Sequence, residues 1–286
     1  MSRPEMLPGI LPEMATSQRD RIDRLGSTTL FKKVVAKYWY PLWTRRLNAD
    51  DDVLFLNWGY EEDPALGLTL DEADERDRYY IQLYHSTATQ EGTELAGKQV
   101  LECSSGHGGG ASYITRYLQP ASYTGLDFNP DAIAFCKKRH QVPGLKFVHG
   151  NAEELPFPDN SFDALINIEA SHAYPSLHRF LSEVNRVLRP GGRFLYSDVY
   201  GRQEFPAWEA ELESSPMRML SSRVINKEVL RGLDLTAHRS DELIQRYLPK
   251  FLHGFGRNFT GVPGSRLYRD AETHAVEYRM YCMEKV

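Results

Sequence analysis

The run Val100-Leu-Glu-Cys-Ser-Ser-Gly-His-Gly-Gly-Gly110, taken with Gly125-Leu-Asp127, constrains the fold more than any other stretch of the chain. A short apolar strand leads into a glycine-rich turn, a helical stretch follows, and a second strand ends in an acid. That order is the first half of a nucleotide-binding α/β unit. Its glycines let the backbone approach a ligand, and its acid can hold the two hydroxyls of a ribose. A glycine turn alone is weak evidence, since ordinary turns share it. Asp127 also stands about 20 residues beyond the turn, as in a dinucleotide fingerprint.

The alternation continues downstream. Gln99–Cys103, Ser122–Leu126, Leu145–His149, Phe162–Ile168 and Gly192–Asp198 read as strands, with Ala111–Leu118, Pro130–His140 and Leu177–Leu188 as the helices between them. The expected fold class is α/β, a doubly wound and mostly parallel sheet with helices on both faces. Residues 1–20 read as a flexible, proline-containing N-terminus and 21–92 as an aromatic-rich helical segment, with helices over Thr28–Leu47 and Asp71–Gln90 and Asp71 as N-cap. Residues 93–200 form the ligand-binding core. Residues 201–256 read as an inserted helical cap with helices at Phe205–Ser214, Asn226–Leu233 and Ser240–Phe251, and 257–286 return to the sheet through a strand at Ala275–Lys285. Glycines 201, 254 and 256 suit a cap that moves as a lid.

Bulk composition narrows the function. The 286 residues are 41% hydrophobic, enough for an ordinary core, and the net charge of -5 offers no basic footprint for nucleic acid. Cys103, Cys136 and Cys282 form no paired spacing, which favours a reducing compartment. With no apolar run of membrane-spanning length, the chain is expected to be cytoplasmic. Peripheral contact with the inner face of a membrane is compatible with that, as is a homo-oligomer.

Two further segments specify the ligand. Asn151-Ala-Glu-Glu-Leu-Pro-Phe-Pro-Asp-Asn-Ser-Phe-Asp163 and Val187-Leu-Arg-Pro-Gly-Gly192 follow at spacings that resemble those of class I S-adenosylmethionine-dependent methyltransferases, whose fold is Rossmann-like. This cofactor has no phosphate but carries a sulfonium, a ribose diol, an adenine edge and a zwitterionic tail. Glu102 would organise the loop or meet the ammonium. The backbone of Ser104, Gly106 and Gly108 would underlie the ligand, Asp127 would accept from the ribose, and Asn151, Ala152 and Glu153 would read the adenine edge. Phe128 or Leu155 would cover its face. Ser104 stands where glycine is usual and Asn151 where aspartate is common.

The reacting end is expected beyond the strand Phe162–Ile168, in Glu169-Ala-Ser-His-Ala-Tyr174. His172 is the candidate general base for a hydroxyl nucleophile, with a substrate-shaping role as the alternative. Asp198 would orient His172, bind a sugar hydroxyl or merely cap the next segment. Glu169 and His172 suggest a metal pair, but no further ligands stand at suitable spacing, so no metal is expected. His107 is read as a loop brace, while Tyr60 would touch the methionine carboxylate or serve as a core aromatic; Tyr84-His85 shares that ambiguity. Arg218, Arg223, Arg231 and Arg239 read as a solvated face more readily than as a pocket rim.

Tyr38-Trp-Tyr-Pro41, Asn57-Trp-Gly-Tyr-Glu-Glu-Asp63, Gly106-His-Gly-Gly-Gly-Ala-Ser-Tyr113 and Glu169-Ala-Ser-His-Ala-Tyr-Pro175 together resemble the phthiotriolone/phenolphthiotriolone dimycocerosate methyltransferase family, itself similar to the sugar O-methyltransferases of glycopeptidolipids. The likeness runs from about residue 24 to Arg279-Met-Tyr-Cys282. It implies O-methylation of a cell-envelope lipid or glycolipid acceptor. A deoxysugar (rhamnosyl or fucosyl) hydroxyl of a glycopeptidolipid is the first expectation, and a phthiotriol-type hydroxyl of a long-chain diol lipid the second. A non-catalytic cofactor-binding module is the reading from a different class. The resemblance also places the base at His172.

Overall fold

The computed structural model describes residues 53–286, so the expected helix at 28–47 and the motif Tyr38-Trp-Tyr-Pro41 lie outside the described residues. A seven-stranded sheet is built from β1 (Gln99–Cys103), β2 (Ser122–Asp127), β3 (Leu145–His149), β4 (Phe162–Ile168), β5 (Leu188–Gly201), β6 (Met217–Val224) and β7 (Val276–Lys285), in the order β3-β2-β1-β4-β5-β7-β6. β1 to β5 pair in parallel, and β7 is inserted antiparallel between β5 and β6. The helices are α1 (Glu72–Glu75), α2 (Arg78–Ala88), α3 (Gly109–Tyr117), α4 (Pro130–Arg139), α5 (Leu177–Val187), α6 (Phe205–Ser214), α7 (Asn226–Tyr247), α8 (His253–Phe259) and α9 (Arg266–Glu272).

Side chains alternate across each strand and so divide the core in two. Val100, Ala164, Ile166 and Ile168 join Ile81 and Leu83 of α2, Ile114 of α3 and Val229 of α7 on one face. Leu101, Leu165 and Phe194 join Phe180 and Val184 of α5 and Trp208 of α6 on the other. Local signals start several helices. Asn129 accepts from the Asp131 N–H with Pro130 in the first turn, and Ser176 accepts from the Arg179 N–H.

Three elements depart from the sequence reading. Asp71–Gln90 is not one helix: α1 buries no residue and Asp71 makes no side-chain cap bond, whereas α2 begins only where Tyr80, Ile81 and Leu83 can be buried. Helix propensity over Asp71–Arg78 is strong, but it has no apolar face to dock. The helices expected at 226–233 and 240–251 are one continuous α7. The cap segment also contains β6, an edge strand that carries Arg218 and Arg223 and buries only Met217, so it lacks the apolar alternation by which strands are recognised.

The chain leaves β1 toward β2 and β3, then returns to build β4 and β5 on the other side. This reversal opens a crevice at the carboxyl ends of β1 and β4, where open α/β sheets bind ligands. Beside it runs a strap, Asn57–Tyr60. The Tyr60 N–H donates to the Tyr79 carbonyl at 2.9 Å, Gln82 Nε2 to the Tyr60 carbonyl at 2.7 Å, and the Glu61 N–H to the Glu228 carbonyl at 3.0 Å. α7 crosses this strap backbone to backbone, since a Cβ built on Gly232 would lie 2.1 Å from the Gly59 carbonyl carbon. Gly232→Ala is therefore expected to cost about 3 kcal/mol or more in denaturant unfolding, because no backbone can give way. Gly254→Ala, in α8 with nothing within 4 Å of the new carbon, should gain up to about 1 kcal/mol. Equal stability of the two variants would contradict this packing.

Candidate active site

The glycine turn is fixed by its own conformations and by the layer beneath it. Gly108 has φ 77, and a Cβ there would meet Phe147 at 2.8 Å and His140 at 2.9 Å. Ser104, in the glycine position, also adopts the left-handed region with φ 63, at a cost of about 1 kcal/mol. Its hydroxyl is paired with the Tyr174 hydroxyl at 2.6 Å. His107 is buried; its Nδ1–H donates to the Val53 carbonyl at 2.8 Å, and burial lowers it to about 4, so it is a neutral brace.

Glu102 points from β1 into the face that carries α2. Tyr84 and Tyr123 donate their hydroxyls to it at 3.0 and 2.9 Å, and burial raises its carboxyl to about 7 against those bonds. Asp127 ends β2, accepts the Gly106 and Asn129 N–H groups at 2.9 and 2.8 Å, and is likewise raised by burial. The next residue, Phe128, is 72% exposed, while Leu155 is 4% exposed and packs in the core. Asn151 and Glu153 form a tight turn: Asn151 Oδ1 accepts the Glu153 N–H at 3.0 Å, and Glu153 holds the Ser176 N–H at 2.6 Å. Ala152 lies within that turn.

Tyr60 lies in the core with its hydroxyl on Glu62 at 2.8 Å and Arg223 at 2.8 Å. Arg218, Arg231 and Arg239 pair with Glu284, Asp63 and Glu242. Tyr84 donates to Glu102, whereas His85 Nδ1 meets the hydroxyl of Tyr113, on α3, at 2.8 Å.

β4 and β5 bring the reacting end together. His172 Nδ1 lies 2.7 Å from Asp198 Oδ1, and Asp198 is 0% exposed. Asp198 Oδ2 accepts the His172 N–H at 3.0 Å and the Ser171 hydroxyl at 2.7 Å, and Oδ1 accepts the Val199 N–H at 2.8 Å. Ser171 also meets Tyr196, whose hydroxyl accepts from Trp208 Nε1 at 3.0 Å. This network fixes the imidazole. With Nδ1 donating to Asp198, a neutral ring carries its lone pair on Nε2 and can take a proton there.

Sequence reasoning underweighted Glu169 and passed over Asn167. Glu169 has φ 48 and accepts the Trp58 N–H at 2.7 Å and the Tyr278 hydroxyl at 2.8 Å, which joins the strap, β4 and β7; burial raises it to about 7. Its strained backbone at a strand end is a mark of functional sites. Asn167 is fully buried, donates to the Cys103 carbonyl and the Tyr174 hydroxyl, both at 3.0 Å, and its Oδ1 accepts no hydrogen bond. Among the described residues no group of three or more His, Cys, Asp or Glu is arranged to hold a metal ion.

Residues 101–196 match the model of a family described as a methyltransferase domain. The chain is 56% identical over 262 residues to the phthiotriol/phenolphthiotriol dimycocerosates methyltransferase of Mycobacterium tuberculosis, covering 92% of this chain and 96% of that one. It is 51% identical over 249 residues to a fatty-acid O-methyltransferase of Mycolicibacterium smegmatis, covering 87% and 89%. Among solved structures, the [4+2]-cyclase SpnF superposes with a TM-score of 0.65 at 19% identity, over 89% of this chain and 96% of that one. Geranyl diphosphate methyltransferase in complex with S-adenosylmethionine gives 0.60 at 16%, over 82% and 100%. At these identities the structures attest the fold.

Glu102 gives the site a measurable signature. Its carboxyl is raised in the folded state, so between about pH 4.5 and 7 the folded chain holds a proton that the unfolded chain has released, and stability falls as pH rises through that window. Glu102→Gln should remove this part of the fall, so that the variant gains on the native protein by up to about 3 kcal/mol from pH 4.5 to pH 8 in thermal unfolding. Parallel pH profiles for the two proteins would show that Glu102 does not titrate there.

Proposed function

The chain belongs to the phthiotriol/phenolphthiotriol dimycocerosates methyltransferase family and is an S-adenosylmethionine-dependent methyltransferase, and we propose that it O-methylates a hydroxyl of a long-chain lipid, with His172 as general base. The observation that carries this reading is the 2.7 Å contact of His172 Nδ1 with the buried Asp198 carboxylate. A lipid hydroxyl loses its proton only to a base in place, whereas the bound cofactor supplies an electrophilic methyl on a sulfonium. Asp198 sets the tautomer of His172 and stabilises the imidazolium that forms as the proton is taken.

The cofactor's other parts match the remaining residues. Asp127 would accept the ribose hydroxyls, Phe128 would lie on the adenine face, and the Asn151 amide with the Ala152 N–H would read its edge. Ser104, Gly106 and Gly108 would line the turn below. Glu102 supports this cradle through its two tyrosines. Tyr60, held by Glu62 and Arg223, would act by fixing the strap.

The relatives reported above are named for lipids, so the long-chain diol or triol hydroxyl takes precedence over the glycopeptidolipid sugar expected first from the resemblance. An acceptor of this kind resides in a bilayer, and no described helix is long and apolar enough to cross one. Peripheral contact with the inner face of a membrane is the reading that puts such an acceptor within reach. The fatty-acid O-methyltransferase relative supports a second reading, a carboxylate acceptor.

The two readings separate on one variant, because a carboxylate is already ionised at neutral pH. His172→Ala should lower turnover on a long-chain diol by about 10²–10⁴-fold and leave S-adenosylhomocysteine affinity unchanged. Asp198→Asn should lower it less and move the pH–rate profile. Native activity on a fatty acid that survives His172→Ala would favour the carboxylate, and methylation of glycolipid sugars alone would restore the sugar reading.

A further inference from the structure

Asn167 presents a buried need that the protein does not meet. Its side chain is 0% exposed, and its Nδ2 is committed to the Cys103 carbonyl and the Tyr174 hydroxyl. The Cys103 bond fixes which end of the amide is which, since turning it over would set Oδ1 against a carbonyl oxygen. Oδ1 is then an acceptor with no donor. Such a group is costly unless something bonds it. Buried hydroxyls without partners, such as those of Ser105 and Thr124, can rotate toward other atoms; an amide oxygen cannot. Three amide oxygens are left without a partner among the described residues, those of Asn57, Gln82 and Asn167, and only that of Asn167 stands on a strand end at the crevice.

The position is informative. Asn167 is the penultimate residue of β4, and its amide bridges to the last residue of β1, across the mouth of the crevice. The Cys103 carbonyl lies beside it, and the Tyr174 hydroxyl, which Asn167 also bonds, is raised first by burial and in part by the nearby Asp127 carboxylate. A ligand group that satisfies Oδ1 there must donate, and a cation is favoured. The cofactor offers three kinds of donor. Its ribose hydroxyls belong with Asp127, and its adenine amine with the Asn151 turn. The sulfonium carries charge but no N–H or O–H. Only the α-ammonium both donates and carries charge, and Glu102, the other candidate for it, already receives two tyrosine hydroxyls from the opposite face of β1.

We propose that Asn167 is a cofactor-binding residue whose side-chain oxygen, at the β1–β4 crevice, receives the α-ammonium group of S-adenosylmethionine. This rests on the cofactor assignment above and adds a residue that reads the amino-acid tail of the cofactor. The same amide ties that tail to the Cys103 carbonyl and, through Tyr174, to the strained Ser104.

Calorimetry on the full chain tests it with three nucleosides: S-adenosylhomocysteine, its analogue lacking the amino group, and 5′-methylthioadenosine, which lacks the whole tail. The native protein should prefer S-adenosylhomocysteine to the desamino analogue by about tenfold or more. Asn167→Leu should lose most of that preference while its affinity for 5′-methylthioadenosine stays within about twofold. Asn167→Asp, which keeps an acceptor and adds charge, should widen the preference. Equal losses for all three nucleosides in Asn167→Leu would assign Asn167 to the scaffold and overturn the proposal. Should that variant not fold, an unchanged preference in Asn167→Asp overturns it equally. A native protein that binds none of the three would remove the cofactor reading itself, while tight binding of 5′-methylthioadenosine with no discrimination between the other two would sink only the role of Asn167.

Discussion

Four carboxylates set the terms for the carboxyl edge of this sheet. Glu102, Asp127 and Asp198 are buried and Glu169 is partly so. Among the described residues their partners are tyrosine hydroxyls, backbone N–H groups, Ser171 and His172, and no lysine or arginine. Burying charge this way is costly unless hydrogen bonds or a counter-charge compensate it. The hydrogen bonds are supplied by the fold; the counter-charge is left to the ligand. A sulfonium cofactor with an ammonium tail is a fitting occupant, because it brings two positive charges to an edge built from acceptors.

This dependence explains which parts of the site were legible. Gly106, Gly108 and Asp127 stood out as candidates because backbone approach and a bidentate acceptor demand particular residue types at particular places along the chain. His172 stood out as a candidate because the crevice rule puts the end of β4 beside the ligand. Glu169 was hidden because its partners, the Trp58 N–H and the Tyr278 hydroxyl, are distant in sequence and come from elements with no motif of their own. Asn167 was hidden for a different reason. A polar residue within an apolar strand looks like a tolerated exception until the accounting of its hydrogen bonds leaves one unmet.

The fold shows the same division. The parallel strands were legible to within a few residues, because strands covered on both faces are continuous apolar runs between turns. The failures fall where tertiary packing overrides local pattern. α7 carries Gly232 in mid-helix, a residue that argues for a break by propensity, yet the helix continues because the absent side chain admits the Gly59 backbone. β6 is charged and largely exposed, as an edge strand should be, and so resembles a helix surface in sequence. β6 is hydrogen-bonded into the sheet and α7 packs against the strap backbone, so residues 217–247 of the cap segment are joined to the body of the fold.

The antiparallel placement of β7 has a consequence for how the protein is made. β6 is synthesised before β7 but cannot join the sheet without it, since β7 lies between β5 and β6. Its backbone groups must wait for a strand still to emerge, during which α7, α8 and α9 can form locally. β7 also brings Tyr278, whose hydroxyl donates to Glu169 at the end of β4. Pairing of the outer strands and the seating of Glu169 are thus completed together, after β1 to β5 have been made.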